Sequence, residues 1–522
     1  MPVGSLPHAN AFTARPARSA EPDAPVWRAI ALIGLCAGLS TAWAATLFLQ
    51  AGDLAALPMA ILVALATFLP IMGLLQCIVG AVAKPLPALA DVDRLSPATP
   101  ATLIVMPVRD EPVEMLDHAL THLARDLSTD RDRFEICLAS DSDDPAVVAA
   151  EQRLADKLDA WVPTSHVRRA ERADKKAGNL RHALATRGGG FDFCVVLDAD
   201  SVMRGPSVRA LAEELAAQPG TALIQSLVKL APHRGRLGRR LAFGLDLAYR
   251  VQTTGLVWWR GVFGPFWGHN AIFRIERYLN DAALPRLSGH APWGGTVMSH
   301  DMAEVALLAS KGHACRFVTV AHSYEGCPTT LQDFLDREKR WALGNLQYAK
   351  LLAEHGERFA WRAKLNLFLA IVFYVAPFAW LGLIATGAVM VASGGLDGAA
   401  IGGWAVTGIM GGLIIANGPR LIGAATCERG PGFLTRLLND VWFSLALAPI
   451  AATAVAGRFI GMALGATREA WGAHGRGGAT AAAADSPWAR RRGQLALGLA
   501  LAACAALGPP LAWLFVAPVA PP

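Results

Sequence analysis

The chain has 522 residues, of which 53% are hydrophobic and 17% are charged, and its formal net charge is +6. Soluble enzymes of this size carry more charge, so the composition indicates membrane-spanning segments. A basic excess is typical of loops at the cytoplasmic membrane face. No nucleic-acid-binding motif accompanies it, so nucleic acid is not an expected partner. The eight cysteines form neither a C-x-x-C pair nor a zinc-site spacing, so a disulfide framework is not expected either.

The N-terminal part of the chain predicts a tail followed by two membrane helices. We expect a disordered cytoplasmic tail over residues 1–25, which are rich in Pro and Ala. Two transmembrane helices are expected within residues 26–84, because the apolar runs 29–49 and 57–83 are long enough to cross a lipid bilayer. Basic residues lie on both sides of this pair and place both flanks in the cytoplasm: Arg15, Arg18 and Lys84.

Residues 95–350 alternate short apolar runs with charged, helix-like stretches. The apolar runs are "ATLIVMPV", "RFEICLAS", "FDFCVVLDAD" and "TALIQSLV". Runs of this length between turn residues favour buried parallel strands, and the helical stretches indicate right-handed βαβ units. We therefore predict a cytosolic α/β Rossmann-like domain inserted between α-helical transmembrane segments. Interfacial helices are expected near 238–268 and 328–360.

Residues 362–520 predict a transmembrane region of about four helices with interfacial segments. The apolar runs are 366–392, 399–417, 441–456 and 495–516. The loop 457–493 is rich in arginine, although a strict alternation of spans would place it outside the cell. Two interpretations remain open: the fifth span is a re-entrant or interfacial element, or a further weak span lies nearby.

The stretch "VVLDADSVMRG" ends an apolar run in two carboxylates, Asp198 and Asp200. Ligands of open α/β sheets bind beyond the carboxyl ends of the strands. Two such close carboxylates repel each other unless a cation lies between them or one takes a proton. Since Mg²⁺ is held by one or two carboxylates plus substrate phosphates, D-x-D predicts a metal and nucleotide-diphosphate site. A solvated turn after a strand is the alternative.

Two further motifs are candidates for nucleotide binding. Asp141 follows the run "FEICLAS" and could accept hydrogen bonds from a nucleobase or a ribose. Lys176 and Asn179 lie in "DKKAGNLRHAL", where lysines beside a glycine at a helix start suit a phosphate. The alternative for the lysines is a solvated helix end.

The acceptor side is predicted from two later motifs. Asp301 in "MSHDMAEVALL" could be the general base that removes a proton from a sugar hydroxyl, or simply a helix N-cap. In "DREKRWALGN", Arg337 and Arg340 could face a diphosphate, and Trp341 could stack on a sugar ring. The alternative there is a charged helix with an interfacial tryptophan before a membrane span.

Together the motifs resemble the processive family 2 glycosyltransferases of membranes, which include the cellulose and hyaluronan synthases. The order and spacing match over residues 100–345. Longer stretches such as "FWGHNAIFRI" and "HSYEGCPTTLQDFLDREKRWALGN" resemble the glucans biosynthesis glucosyltransferase H family over about residues 27–520. The N-terminal tail is shorter than in long members of that family. The chain also has Arg337 where cellulose synthases have Gln, and "SHD" where they have "TED".

The resemblance implies a GT-A fold in a multi-pass protein of the bacterial inner membrane, with its catalytic domain in the cytoplasm. It implies a processive inverting glucosyltransferase that polymerises glucose from UDP-glucose into a β-1,2-linked backbone. That backbone, the growing glucan, would be exported for osmoregulated periplasmic glucans. Mg²⁺ or Mn²⁺ would be the cofactor, and periplasmic glucan-modifying proteins would be partners.

Carried over by position, the family's site residues divide between donor, base and acceptor. Asp141 would contact uridine, Lys176 and Asn179 would line the nucleotide pocket, and Asp198 and Asp200 would hold UDP and the metal. Asp301 would be the base. The remaining residues would hold the diphosphate and the acceptor sugar: Arg337, Arg340, Trp341 and His269. His300 is a further candidate near the metal.

Two other functions are compatible with the sequence. One is a related membrane synthase that makes another polysaccharide or uses a lipid-linked glycosyl donor. The other is a transporter regulated by nucleotide sugar without catalysis, which would bind a UDP-sugar but release no UDP. The combination of Asp301 with R-x-x-R-W favours an enzyme, because binding alone requires no base.

Overall fold

The computed structural model describes residues 23–52, 54–231, 235–392, 398–427 and 430–463. The predicted tail up to residue 22, most of the loop 457–493 and the last predicted span, 495–516, lie outside these ranges. The two interpretations of that loop therefore remain open.

Helices and strands follow one another in the α/β order predicted for the central part of the chain. The described helices are α1 Val26–Ala51, α2 Leu57–Val82, α3 Val113–Leu127, α4 Pro145–Leu158, α5 Lys175–Arg187, α6 Gly205–Ala216, α7 Arg236–Arg260, α8 Ile275–Asp281, α9 His300–Ser310, α10 Leu331–His355, α11 Trp361–Ala392, α12 Gly398–Thr426 and α13 Phe433–Ala463. The described strands are β1 Thr102–Val108, β2 Phe134–Ser140, β3 Thr164–Arg168, β4 Phe193–Val196, β5 Val202–Met203, β6 Thr221–Ser226, β7 Lys229–Leu230, β8 Ala271–Arg274, β9 Ala314–Val318 and β10 Ser323–Glu325.

The central sheet has seven strands in the order β3-β2-β1-β4-β8-β6-β9. The four apolar runs of the sequence form β1, β2, β4 and β6, as predicted. Strand β8, which is not among the four predicted runs, is antiparallel to both of its neighbours. The fold is therefore GT-A-like, with a mixed central sheet.

Helices cover both faces of the sheet, which explains why its central strands are continuously apolar. On one face, Ile104 and Met106 of β1 pack against α3 and α6. On the other face, Leu103 and Val105 pack in a cluster that includes side chains of α5, α8 and α9. Because β1, β2 and β4 are parallel neighbours, the loops after them lie at one edge of the sheet.

A second, three-stranded sheet lies beside that edge in the order β5-β10-β7. Strand β5 comes directly after Asp200, and β10 is its antiparallel partner. This pairing brings Glu325, at the end of β10, toward the D-x-D turn. The second sheet thus links the D-x-D turn to the chain segment that leads into α10.

Four of the described helices are long and apolar enough to cross a membrane, over Val26–Leu49, Leu57–Val82, Trp361–Leu383 and Phe433–Gly461. Large apolar side chains point away from the protein along them; Leu49 is 76% exposed and Trp442 is 72% exposed. Such surfaces indicate contact with lipid rather than water. Helix α7 packs against α2 and α12, so the α/β domain contacts this group of helices directly.

Candidate active site

The D-x-D turn follows β4 and is closed by its own hydrogen bonds. The N–H of Asp198 donates to Ser201 Oγ at 2.9 Å, and the N–H of Ser201 donates to the Asp198 carbonyl at 2.9 Å. Burial raises the pKa of Asp200 to about 6, the negative charges of Asp198 and Glu325 act in the same direction, and His269 opposes them. The turn therefore places negative charge where solvent is partly excluded.

Lys176 supplies positive charge to this turn from the start of α5. Its Nζ forms an ion pair with Asp198 Oδ1 and donates to the carbonyl of Gly268 at 2.8 Å. The D-x-D turn, the K-A-G-N motif and the "FWGHN" motif therefore meet around one ammonium group.

Asp301 lies on the other side of Gly268. This glycine has φ +83°, and a Cβ built on it would lie 3.4 Å from Asp301 Cβ and 3.6 Å from Lys176 Nζ. The candidate base and the lysine of the candidate nucleotide pocket thus face the same backbone position. The helix N-cap is Ser299, not Asp301, which occupies the first turn of α9.

Helix α10 holds the start of α9 and so positions Asp301. The hydroxyl of Tyr348 donates to the Ser299 carbonyl at 2.7 Å. Gly344 packs directly against Ser299, because a Cβ at this position would clash with Ser299 Oγ. The same helix carries the R-x-x-R-W motif one to two turns earlier, at residues 337–341. One rigid element therefore positions both the candidate base and the candidate acceptor groups.

Arg337 and Trp341 form a stacked pair on α10. The Arg337 guanidinium carbon lies 4.6 Å from the centre of the Trp341 ring, which is 43% exposed. Arg337 Nε is buried and has no hydrogen-bond partner among the described residues. Burial lowers the pKa of the neighbouring Arg340, an effect that an anionic ligand would offset.

Two histidines of the site are held by glutamates. His269 Nε2 lies 3.2 Å from Glu325 Oε2, and His300 Nδ1 lies 2.9 Å from Glu304 Oε2. Burial lowers the pKa of His269, but Asp198 and Glu325 outweigh it and raise that pKa to about 9. The two carboxylates therefore favour the protonated form of His269 beside the D-x-D turn.

Asp141 is held by an arginine that the sequence analysis did not single out. Arg169 Nε and Nη2 donate to the two carboxylate oxygens of Asp141 at 2.8 and 2.7 Å. Arg169 Nη2 also donates to the Lys175 carbonyl at 2.8 Å, which joins Asp141 to the residue before Lys176. Asn179 Nδ2 donates to the Ala139 carbonyl at 2.6 Å and so fixes α5 against the end of β2.

The contacts join the predicted residues into two groups, which the packing of α10 against the start of α9 connects. Lys176, Asp198, Asp200, His269 and Asp301 meet around Gly268 and Glu325, and Asp141 joins them through Arg169. Arg337, Arg340 and Trp341 lie on α10. Sequence reasoning missed Arg169, the partner of Asp141, and Glu325, the partner of His269. Neither belongs to a local motif: Arg169 lies in an arginine-rich loop, and Glu325 lies in the "HSYEG" stretch without a chemical signal of its own.

The carboxylates of the turn suit a divalent cation with a diphosphate. No group of three or more His, Cys, Asp or Glu side chains able to enclose a metal occurs among the described residues. A Mg²⁺-type site does not need one, since one or two carboxylates complete the shell together with substrate phosphates. Asp198 and Asp200 provide that donor set, and the mutual effect of their charges is what a cation would relieve.

The Asp141–Arg169 pair gives a stability prediction. The two side chains are 9% and 5% exposed, so Arg169→Met should leave an uncompensated buried carboxylate and cost about 3–5 kcal/mol. Thermal unfolding should show the loss, and the double variant Asp141→Asn/Arg169→Met should recover part of it. Arg172→Met is the matched control, because its partner Asp143 is 57% exposed. Equal stability of Arg169→Met and the unmodified protein would contradict a buried pair.

The chain matches two models of known families. Residues 103–278 match Glycosyl transferase family 2, and residues 193–416 match Glycosyl transferase family group 2. Glucans biosynthesis glucosyltransferase H from Cereibacter sphaeroides is 37% identical over 56% of this chain and 50% of its own length. The protein of the same name from Vibrio cholerae is 33% identical over 56% of this chain and 41% of its own length.

The chain thus spans about half the length, or less, of these curated relatives. Among solved structures, a mannosyltransferase from Pyrobaculum calidifontis in complex with GDP-Man and Mn²⁺ is similar over 75% of this chain and 98% of its own, with 16% identity and a TM-score of 0.47. The sequence matches cover the sheet, the D-x-D turn and the first helices after the α/β domain. Residues 103–416 are therefore similar to family 2 glycosyltransferases, in a domain of GT-A-like fold.

Proposed function

We propose that the protein is a processive inverting glucosyltransferase of the bacterial inner membrane. It polymerises glucose from UDP-glucose into a β-1,2-linked glucan backbone and exports that backbone for osmoregulated periplasmic glucans. The names of the relatives support glucose and glucan. The observation that carries the proposal is the meeting of Lys176, Asp198 and Asp301 around Gly268, because it sets a donor-binding group beside a candidate base.

The donor binds at the sheet edge. Asp141 accepts hydrogen bonds from uridine, while Lys176 and Asn179 line the pocket that holds the nucleotide. Asp198 and Asp200 would hold Mg²⁺ or Mn²⁺, which supplies positive charge to the diphosphate when bound. His269, which Glu325 holds, is proposed to bind the acceptor end of the glucan beside this group.

Transfer then uses one base and one cationic helix. Asp301 accepts the proton of the acceptor hydroxyl, whose oxygen attacks the anomeric carbon from the face opposite UDP, so the configuration inverts. Arg337 and Arg340 stabilise the charge on the departing diphosphate, and Trp341 packs on the acceptor sugar. The glucan remains on the enzyme after each transfer, is extended again, and passes between the apolar helices.

The four apolar helices support coupling of synthesis to export. With the α/β domain in the cytoplasm, UDP-glucose reaches the site directly and the product leaves across the bilayer. Periplasmic glucan-modifying proteins would then receive the product.

Donor and linkage are tested with the full chain purified in detergent. It is supplied in turn with UDP-glucose, UDP-galactose, UDP-N-acetylglucosamine and a lipid-linked glucose donor, each with Mg²⁺ or Mn²⁺. We expect polymer from UDP-glucose only, with β-1,2 bonds in linkage analysis. A polymer of another sugar, or one with another linkage, would show that the protein is a different polysaccharide synthase.

The base role predicts a particular pH dependence. Burial raises the pKa of Asp301 above its usual value, with His300 acting in the opposite direction. Since the base works as a carboxylate, kcat at saturating donor and cation should fall tenfold per pH unit once the pH drops below that raised pKa. The fall should therefore begin above pH 3.9, the pKa of an ordinary aspartate. A kcat that stays constant down to about pH 4 would exclude Asp301 as the base.

A further inference from the structure

A small cavity lies behind the helix that carries Asp301, between the end of α7, α9 and α11. Arg260 and Asn366 line it together with apolar side chains that include Phe263, Met302 and Val305. The cavity has room for about one water-sized group. None of its lining residues belongs to the donor or acceptor groups described above.

Arg260 is a buried charge without a counter-ion in the described part of the chain. It is 8% exposed, and among the described residues its Nε has no hydrogen-bond partner and no carboxylate forms an ion pair with it. Burial lowers the pKa of Arg260 to about 10, which leaves it charged at neutral pH. Asp23, which accepts a hydrogen bond from the N–H of Val262 at 3.2 Å, is paired with Arg362, whose Nη1 lies 2.5 Å from Asp23 Oδ2. Buried charges in proteins are normally paired, so this guanidinium calls for an anion.

Asn366 adds a second unsatisfied group to the same cavity. It is 8% exposed, and none of the residues that the structure describes donates a hydrogen bond to its buried Oδ1. Because the cavity admits about one water-sized group, a single hydroxyl oxygen must accept from Arg260 and donate to Asn366, and the charge of Arg260 favours a hydroxyl carried by an anion. Monohydrogen phosphate and the glycerol phosphate headgroup of phosphatidylglycerol both have this combination.

The cavity lies at the level where two candidate spans begin. Arg28, near the start of α1, donates to the Trp258 carbonyl at 3.1 Å, and Arg362, near the start of α11, donates to the Arg260 carbonyl at 3.0 Å. The end of α7 is therefore level with the starts of both helices. Lipid headgroups lie at such a level, and basic pockets between membrane helices bind anionic ones.

We propose that the cavity at Arg260 and Asn366 binds a hydroxyl-bearing phosphate group, one oxygen of which enters beside the guanidinium. The two sources of this chemistry are an anionic lipid headgroup and free phosphate. The bound group would connect the end of α7 to α9 and α11, and would so fix the position of α9, the helix that carries Asp301.

The test compares thermal unfolding of the full chain in nanodiscs of phosphatidylcholine with and without 30% phosphatidylglycerol. A ligand that binds only the folded state raises the midpoint, here by about 2–4 °C. Phosphatidylcholine discs with 10 mM inorganic phosphate form the second arm. A rise in the lipid arm alone identifies a headgroup, a rise in the phosphate arm alone identifies free phosphate, and a rise in both arms shows that the cavity accepts the group from either source.

Variants show whether the effect belongs to the cavity. Arg260→Gln should lose the rise in both arms. Asn366→Asp supplies an internal carboxylate, so its midpoint should already be raised in plain phosphatidylcholine and should respond to neither anion. Lys364→Gln, which removes an exposed charge on the same helix, should respond like the unmodified protein. If neither anion raises the midpoint of the unmodified protein, or if all variants respond equally, the proposal is wrong; turnover does not enter this measurement, so the proposed function stands or falls separately.

Discussion

Asp301→Asn is expected to lower the rate of sugar transfer by about 10²–10⁴-fold, the usual contribution of a positioned general base. The substitution keeps the size of the side chain in the tight space beside Gly268, where a Cβ would lie 3.4 Å from Asp301 Cβ. Donor binding should change little, because the amide still fits and the D-x-D turn is intact. The measurements are UDP release at saturating UDP-glucose and titration calorimetry of UDP in the presence of Mg²⁺.

Asp132→Asn serves as the control, since Asp132 is an exposed acid in the turn before β2. It should leave both the rate and the UDP affinity unchanged. Retained turnover in Asp301→Asn would refute the base assignment. A parallel loss of rate and UDP affinity would instead assign Asp301 to the donor pocket.

Asp200→Asn should reduce the cation-dependent affinity for UDP by about a hundredfold or more. Loss of a group that only supports a metal ligand costs about 10–100-fold, and Asp200 is proposed to contact the cation directly. The measurement is UDP calorimetry with Mn²⁺ and with EDTA, where only the Mn²⁺ arm should weaken.

The stability of the same variant separates binding from folding. Folding raises the pKa of Asp200 to about 6, so above that pH its ionised carboxylate disfavours the folded state. Asp200→Asn should therefore unfold at the same or a higher temperature in the absence of cation. Asp192→Asn, at the opposite and exposed end of β4, is the matched control and should bind UDP normally. Unchanged Mn²⁺ dependence in Asp200→Asn would exclude it as a cation ligand.

Strands buried on both faces could be predicted from the sequence, because burial makes each of them a continuous apolar run. β1 and β2 are of this kind, since nearly all of their residues are buried. β3 was missed because most of its residues are only partly buried and it has no such run. The direction of β8 could not be predicted, since an apolar run has the same composition in a parallel and an antiparallel strand.

The candidate site divides in a similar way. Residues that follow strands or begin helices could be predicted, since their position relative to an element is local; Asp198 and Lys176 are examples. Their partners come from distant parts of the chain, as with Arg169 on Asp141 and Glu325 on His269. Only the folded sheet brings such pairs together, so the ion pairs and the pKa changes they cause could not be predicted.

The central claim is that the donor-binding residues and the general base lie at one site, and that this site catalyses glucose transfer. The most direct test incubates the full chain in lipid nanodiscs with radiolabelled UDP-glucose and Mg²⁺, and counts UDP released against glucose incorporated. We predict one UDP for each glucose found in a long glucan, and at least about a hundredfold less of both products from Asp301→Asn. UDP-glucose that binds without any release of UDP would contradict the account and indicate a transporter that only senses the nucleotide sugar.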